Sequence, residues 1–447
     1  MQCTIALHCF FSEHLALFHK NYICNEGFIM QITYNNAVTV EKDLVAEAVT
    51  NRVTAPVLCD FIGWVLSSAR ENGIKRLYFL ARDGWIMHKA AEKIAAKHNL
   101  RIELRYLFCS RLSLRLAALS QLGDEGYRYL LEGGFALTPA IILGRLRLDN
   151  EQRKSVYKDI GFDGDENMEM GKAVAAGFCD KLRNSPVYNG LIKSVSADCR
   201  QNAITYLLQE GLLSDEPYAL VDSGWTGSMQ RMLRVLTGKK QTGFYFGLYA
   251  KPPSEDGDFN AYLFDKSVSP RLVSRFNNHL FEALCSAPHG MTVGYEIKNG
   301  KAFPVFNNEK SLNSGLPLLE TQEQAIYSYI ENSYTLSEKT AAMKERQAFA
   351  FPLLDELMFT PSREVAEKYG ALRFSDDPAE LYSFPLAVPL EDSKPLYLLP
   401  RLKEKYFRRD KPARPVYWGY AAAVLSGKGR FCRLNLRLWE ILWLMKR

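Results

Sequence analysis

Paired cysteines, clustered histidines and long apolar runs are all missing from this 447-residue chain, and each absence narrows its chemistry. The nine cysteines stand singly at positions 3, 9, 24, 59, 109, 179, 199, 285 and 432, with no CxxC pair. An odd, scattered set argues against a disulfide framework and a zinc site, and fits a reducing cytosol. The seven histidines form neither HxxxH nor HExxH. No apolar run approaches the roughly 18 residues that a membrane-spanning helix needs. The phosphate-binding GxxxxGK[ST] loop is missing, as are a GxGxxG turn after a strand and a GxSxG elbow, which removes support for P-loop, dinucleotide-dependent and serine-hydrolase chemistry. The nearest approach to an aspartyl-nucleophile DxDx[TV] motif, Asp163-Gly-Asp165-Glu166, sits in a polar break with no apolar strand before it.

What is present is an ordinary globular balance, 47% hydrophobic and 24% charged, in a chain long enough for two or three structural units. The net charge of +6 is uneven: residues 401–447 carry 13 Lys/Arg against 3 Asp/Glu, so the first 400 residues are net negative. Residues 1–29 are apolar but lack a basic leader and an A-x-A cleavage site, while Met30 opens a more ordinary soluble sequence. A start near Met30 is therefore expected, with 1–49 an extension ahead of the folded body.

From Ala55 the residues Leu58, Phe61, Ile62, Val65, Leu66 and Ala69 recur at helical spacing until Gly73. A five-residue burst, Arg76 to Leu80, then reads as a buried strand, followed by Ala81-Arg82-Asp83-Gly84-Trp85 and a helix over 86–98. A second strand over 102–108 leads into Cys109-Ser110-Arg111. This is βαβ logic and predicts an α/β fold with a parallel sheet. The core is expected over 50–111 and 214–310. It is split by a helical insertion or cap at 112–213 and followed by a helical region at 311–384. A Pro-containing linker and basic tail close the chain at 385–447. Further strands are predicted at 218–221 and 243–249, with a helix from Met229 to Leu236.

Two turns carry the strongest chemistry. Leu220-Val221-Asp222-Ser223-Gly224-Trp225-Thr226-Gly227-Ser228 puts an acid at a strand end, then a small-residue turn, then a helix start. In open α/β sheets ligands bind at that end, where a helix N-terminus favours anions. Gly224 and Gly227 allow close backbone approach, Thr226 and Ser228 offer hydroxyls, and Asp222 suits sugar hydroxyls or a hydrated Mg²⁺. The bland alternative is an N-cap in a tight turn. Ala81-Arg82-Asp83-Gly84 repeats the design, with Arg82 as an anion ligand or, alternatively, one half of a surface salt bridge. Arg111 follows the next strand and reaches toward the same crevice. Glu282 and His289, in Phe281-Glu282-Ala-Leu-Cys-Ser-Ala-Pro288-His289-Gly290, are candidate bases for an incoming hydroxyl, or simply a helix end and turn; Asp83 is a third candidate base, and Asp222 completes the candidate catalytic set. Leu434 to Leu444, edged by Arg430, Arg433, Arg437, Lys446 and Arg447, reads either as a helix lying on an anionic membrane surface or as one packed on the body. Nucleic acid is disfavoured by the acidic body.

In order, these motifs resemble the module often fused behind haloacid-dehalogenase domains in bacterial polysaccharide clusters, over roughly residues 50–300. That module in turn resembles the phosphoribosyltransferases, where a strand-Asp-Asp-x-x-x-Thr-Gly-Gly-Thr turn holds the ribose 5-phosphate of phosphoribosyl pyrophosphate (PRPP). An earlier strand-Arg-Gly-Gly turn holds the pyrophosphate. The resemblance implies a type I-like sheet, with Ala81, Arg82, Asp83 and Gly84 forming the pyrophosphate loop. Asp222 would face the ribose hydroxyls, Gly224, Thr226, Gly227 and Ser228 would cradle the 5-phosphate, and Arg111, Ser223 and Trp225 would complete the PRPP site. Ser223 stands where the second acid is usual, Trp225 intrudes into the loop, and the 112–213 segment is an insertion. The resemblance further implies Mg²⁺, a lipid-linked or growing polysaccharide acceptor, and a separate phosphatase acting on the product. The enzyme would be cytoplasmic, with 401–447 touching the inner membrane face. A nucleotide-sugar glycosyltransferase and a non-catalytic assembly component are the rival readings.

Overall fold

Arg76–Leu80 (β3), Glu103–Leu107 (β4), Tyr218–Trp225 (β5), Gln241–Leu248 (β6) and Gly257–Phe264 (β7) form one sheet in the order β4-β3-β5-β6-β7, with every neighbouring pair parallel. The computed structural model that shows this describes residues 21–24, 28–31, 43–131, 137–307, 312–337, 339–389 and 416–427. They belong to two units, Met1–Glu41 and Lys42–Arg447. In the smaller unit Asn21–Cys24 (β1) pairs antiparallel with Phe28–Gln31 (β2), Tyr22 opposite Met30. The sheet and all that follows lie in the larger unit, a mixed α/β structure as the sequence predicts.

Local sequence explains the elements that frame the sheet. In the helix Ala55–Glu71, Leu58, Phe61, Ile62, Val65 and Leu66 share a buried stripe. Gly73 stops it in the left-handed region, with Ile74 N–H bonding back to the Ala69 carbonyl at 2.9 Å. Phe61 meets Phe246 of β6 and Tyr262 of β7 edge-on, with ring centroids 5.4 Å apart in both contacts. Burying each such side chain contributes roughly 1.5–3 kcal/mol. Leu77, Phe79 and Leu80 of β3 are wholly buried, as expected of a central strand covered on both faces.

The insertion between β4 and β5 contains the helices Arg111–Leu122, Asp124–Leu131, Pro139–Gly144, Asn150–Asp159, Lys172–Asn184 and Pro186–Gln209. Leu116, Leu130, Ile142, Leu143, Val156, Leu182 and Tyr188 give it its own core, into which Met291, Val293 and Ala379 also pack. It is therefore fastened to later parts of the chain. The hairpin Thr292–Lys298 (β8) and Lys301–Phe306 (β9) holds it: Tyr295 stacks on Tyr206 with centroids 4.5 Å apart.

Several boundaries differ from expectation. Leu44–Val49 is already helix in the larger unit, capped by Asp43, so the extension stops at Glu41 rather than 49. Strand β5 runs four residues past Val221, because Asp222, Gly224 and Trp225 continue to pair with β6. Strands β7, β8 and β9 are additional to those predicted. The expected linker from 385 onward is in part packed structure. Phe384–Pro385 (β11) pairs antiparallel with Arg373–Phe374 (β10), and Trp418, fully buried, donates its indole N–H to the Met358 carbonyl at 2.8 Å. Residues 390–415 and 428–447, which include the Leu- and Trp-rich stripe, lie outside the described residues, as do 1–20. Among the described residues no helix is long and apolar enough to cross a membrane.

Candidate active site

Strand order reverses around β3 and β5, which lie side by side with Phe79 opposite Val221, while β4 lies beyond β3 and β6 beyond β5. A crevice at the carboxyl ends of strands is the geometric consequence of such a reversal. A cleft of about 610 Å³ opens there, lined by Ala81, Arg82 and Asp83 after β3 and Ser110 and Arg111 after β4. Asp222, Ser223, Gly224, Trp225, Thr226 and Ser228 line it from β5, and Glu282 from the helix Asn278–Leu284.

The two turns are tied together. Ser223 donates its hydroxyl to the Asp83 carboxylate across the strand gap. Gly84 does not line the cleft: it opens the helix Gly84–Lys97 and packs on Phe79, whose carbonyl carbon would lie 2.8 Å from an added Cβ. Gly224 lines the cleft, yet its lack of a side chain is required on the other side. At φ +118° an added Cβ would fall 2.2 Å from the Gly247 carbonyl oxygen of β6. Gly227, left-handed at φ +67°, turns the chain into the helix Ser228–Thr237, and its Cα faces Phe259 rather than the cleft. No side chain caps that helix, and its start at Ser228 and Met229 lines the cleft together with Thr226. Trp225 has a structural task as well. Its indole N–H donates to Glu282 at 2.6 Å, and its ring stands among Tyr249, Phe264, Phe276 and Phe281.

Asp83, Asp222 and Glu282 form an acidic trio at the bottom of the cleft. Each keeps some surface open, but the protein around it displaces most of the water that would solvate a charge. Desolvation pushes Asp222 up to about 7, with the Glu282 charge adding to the rise. Desolvation also lifts Asp83 well above the usual carboxylate range, reinforced by Glu282 and Asp222 and opposed by the Ser223 hydroxyl and Arg82. Glu282 is raised by desolvation, against the pull of Arg111 and the Trp225 indole. Such a site holds fewer negative charges at neutral pH than its composition suggests, and binding a cation would restore them. Among the described residues no group of three or more His, Cys, Asp or Glu is arranged to hold a metal ion. The donor set fits a hydrated Mg²⁺ that takes one or two carboxylates, Asp222 foremost, and fills its other positions with ligand oxygens and water.

His289 is placed apart from the cleft lining. It is 5% exposed, among Trp85, Tyr106, Phe108 and Phe306. Its Nδ1–H donates to the Gly290 carbonyl at 2.8 Å, leaving Nε2 to accept from the Tyr106 hydroxyl at 2.8 Å. Burial pushes this imidazole down to about 4. It is a neutral packing group that fixes the Pro288–Gly290 turn.

Sequence reasoning passed over the rest of the wall. Leu316, Leu319 and Gln322 of the helix Leu312–Asn332 line the cleft, as do Phe374, Asp377, Glu380, Leu381 and Tyr382 of the 372–383 segment. Glu380 pairs with Arg82. Asp377 is fully buried against Arg145 of the insertion, which donates to it through Nη2 at 2.9 Å and Nε at 3.2 Å. The only cue in the sequence was the acidic run Asp376-Asp377-Pro378-Ala379-Glu380, which carries no strand-turn-helix pattern. No protein-family model matches the chain, and no curated protein matches it significantly.

Proposed function

We propose that the cleft transfers ribose 5-phosphate from PRPP to a hydroxyl of a surface-polysaccharide acceptor, releasing pyrophosphate. The observation carrying this reading is the convergence of two strand-turn-helix anion turns, from adjacent strands, on one acid-rich cleft. The uncapped turn at Thr226–Ser228 suits the 5-phosphate, and Arg82 with the turn at 81–83 suits the pyrophosphate. The family pattern has a second acid where this chain has Ser223. Here the Ser223 hydroxyl is bonded to Asp83, which supports a role for that carboxylate as the second acid, supplied from the neighbouring strand.

In this reading Asp222 and Asp83 orient the ribose hydroxyls. The acceptor oxygen attacks C1, the C1–O bond to pyrophosphate breaks, and its electron pair leaves with the pyrophosphate. The hydroxyl proton passes to Glu282, which in this reading holds neither the ribose nor the cation and whose affinity for a proton is raised by desolvation. Mg²⁺, when bound, neutralises charge on the departing diphosphate. Inversion at C1 gives a β-ribofuranosyl 5-phosphate, which a separate phosphatase would then trim.

A ligand that binds only the folded chain raises its melting temperature, by the equivalent of about 2.7 kcal/mol at a hundred times its dissociation constant. Mg²⁺ with PRPP is expected to raise Tm in the wild type and to lose that effect in Asp222→Ala. A shift from nucleotide sugars with none from PRPP would replace the donor, and silence from both would favour a non-catalytic role.

A further inference from the structure

The cleft has a second half that the donor does not explain. Its wall is mostly apolar, built by Leu316 and Leu319 from the helix Leu312–Asn332 and by Phe374, Leu381 and Tyr382 from the 372–383 segment. Leu381 is 46% exposed, which leaves its side chain open at the cleft edge. The two rings are held in place: Phe374 lies 4.9 Å from both Tyr417 and His279, and the Tyr382 hydroxyl donates to Asp376 at 2.9 Å. One polar group stands among them. Gln322 is 1% exposed, lines the cleft, and its side-chain amide nitrogen has no hydrogen-bond partner. Leaving a buried donor unpaired carries a desolvation penalty that a bound oxygen would remove.

The charges say what kind of oxygen. On this side of the cleft the carboxylates already have cationic partners, Asp377 in Arg145 and Glu380 in Arg82, and the Arg373 guanidinium bonds to Ser383. A charged ligand would have to displace one of those partners. A neutral ligand with hydroxyls on its rim and a C–H face for the rings leaves those pairs intact.

We infer that Gln322 and the wall of Leu316, Leu319, Phe374, Leu381 and Tyr382 form a subsite for an uncharged sugar ring, with the Gln322 amide donating to a ring hydroxyl. The subsite deepens the proposed transfer, on which it rests for its role as the acceptor side. It restricts the acceptor to a neutral glycosyl residue, in contrast to a uronic acid or a phosphorylated sugar.

The probes are neutral p-nitrophenyl glycosides of glucose, galactose, mannose, rhamnose and N-acetylglucosamine, with p-nitrophenyl glucuronide and uridine as comparisons. Saturation-transfer NMR is run on the full chain with Mg²⁺ and PRPP present. At least one neutral glycoside is expected to bind, with the glucuronide at least tenfold weaker. Gln322→Met, which keeps the volume and removes the donor, is expected to weaken the neutral glycoside tenfold or more. The same variant should melt no lower than wild type, since it discards an unpaired buried donor; a purely structural glutamine would lower Tm. Equal glycoside binding in Gln322→Met, preference for the glucuronide or uridine, or no binding by any neutral glycoside each overturns the subsite. PRPP binding is read separately by its own thermal shift. Gln322-dependent glycoside binding without a PRPP effect would leave the subsite standing and remove the donor reading alone.

Discussion

At Asp222 one carboxyl group joins the proposed ligand site to a cost in stability. Its folded value of about 7 lies above the ordinary 3.8 because the cleft desolvates it and Glu282 repels its charge. Below about pH 4 the group is protonated in folded and unfolded chains alike and contributes nothing. Between about 4 and 7 the unfolded chain gives up the proton while the folded chain keeps it, so stability falls as pH rises. Above 7 both forms are ionised and the penalty is constant. Asp222→Asn should therefore stabilise the ligand-free protein at pH 8, by about 2 kcal/mol once water in the cleft is allowed for, and have little effect at pH 4. Denaturant titrations at the two pH values measure this directly. A gain of equal size at both would show that packing, and not ionisation, governs the site. The same substitution should abolish the PRPP-induced thermal shift, so that stability and binding move in opposite directions.

Elements differ in how openly the sequence declares them. The turns after β3 and β5 were legible because each is local: an apolar burst, a few small or charged residues, then helical periodicity. Strand β7 was not, since parallel neighbours normally require a helical crossover, whereas residues 249–256 return from β6 with only the 3₁₀ turn Ser254–Asp256. The residues after Val221 read as a loop because Ser223 and Gly224 are poor strand formers, and only pairing with β6 keeps them extended. The 372–383 segment was hidden for another reason. It joins the cleft through contacts such as Arg82 with Glu380, 298 positions apart, which no local pattern encodes. What fixes that segment is the Arg145–Asp377 pair, both side chains wholly buried. Removing one partner strands a charge in the interior, so Arg145→Met is expected to cost about 3–5 kcal/mol, whereas Arg145→Met with Asp377→Leu should recover most of it. Chemical denaturation of the single and double variants tests this. A loss below about 1 kcal/mol in the single variant would mean that the segment is held by its apolar contacts instead.

For the whole molecule, the cleft is the place where distant stretches of one chain must meet. The β3 and β5 turns lie 140 positions apart and are joined by the Ser223–Asp83 hydrogen bond. The insertion between them shares its core with Met291, Val293 and Ala379, and reaches the 372–383 segment through Arg145. Ligand binding should therefore register far from the turns that touch the phosphates. In hydrogen exchange with saturating Mg²⁺ and PRPP, peptides covering 81–88 and 223–231 should slow by tenfold or more, since their N–H groups are the expected ligands. Peptides covering 375–383 should respond too, because the diphosphate competes with Glu380 for Arg82. Helices of the insertion such as Asn150–Asp159 contribute no residue to the cleft lining and should exchange as before. Protection limited to the two turns would make the 372–383 segment a bystander, and the acceptor wall would have to be sought elsewhere. Protection that includes this segment but not the helix Asn150–Asp159 would define a single working cleft assembled from both sides of the insertion.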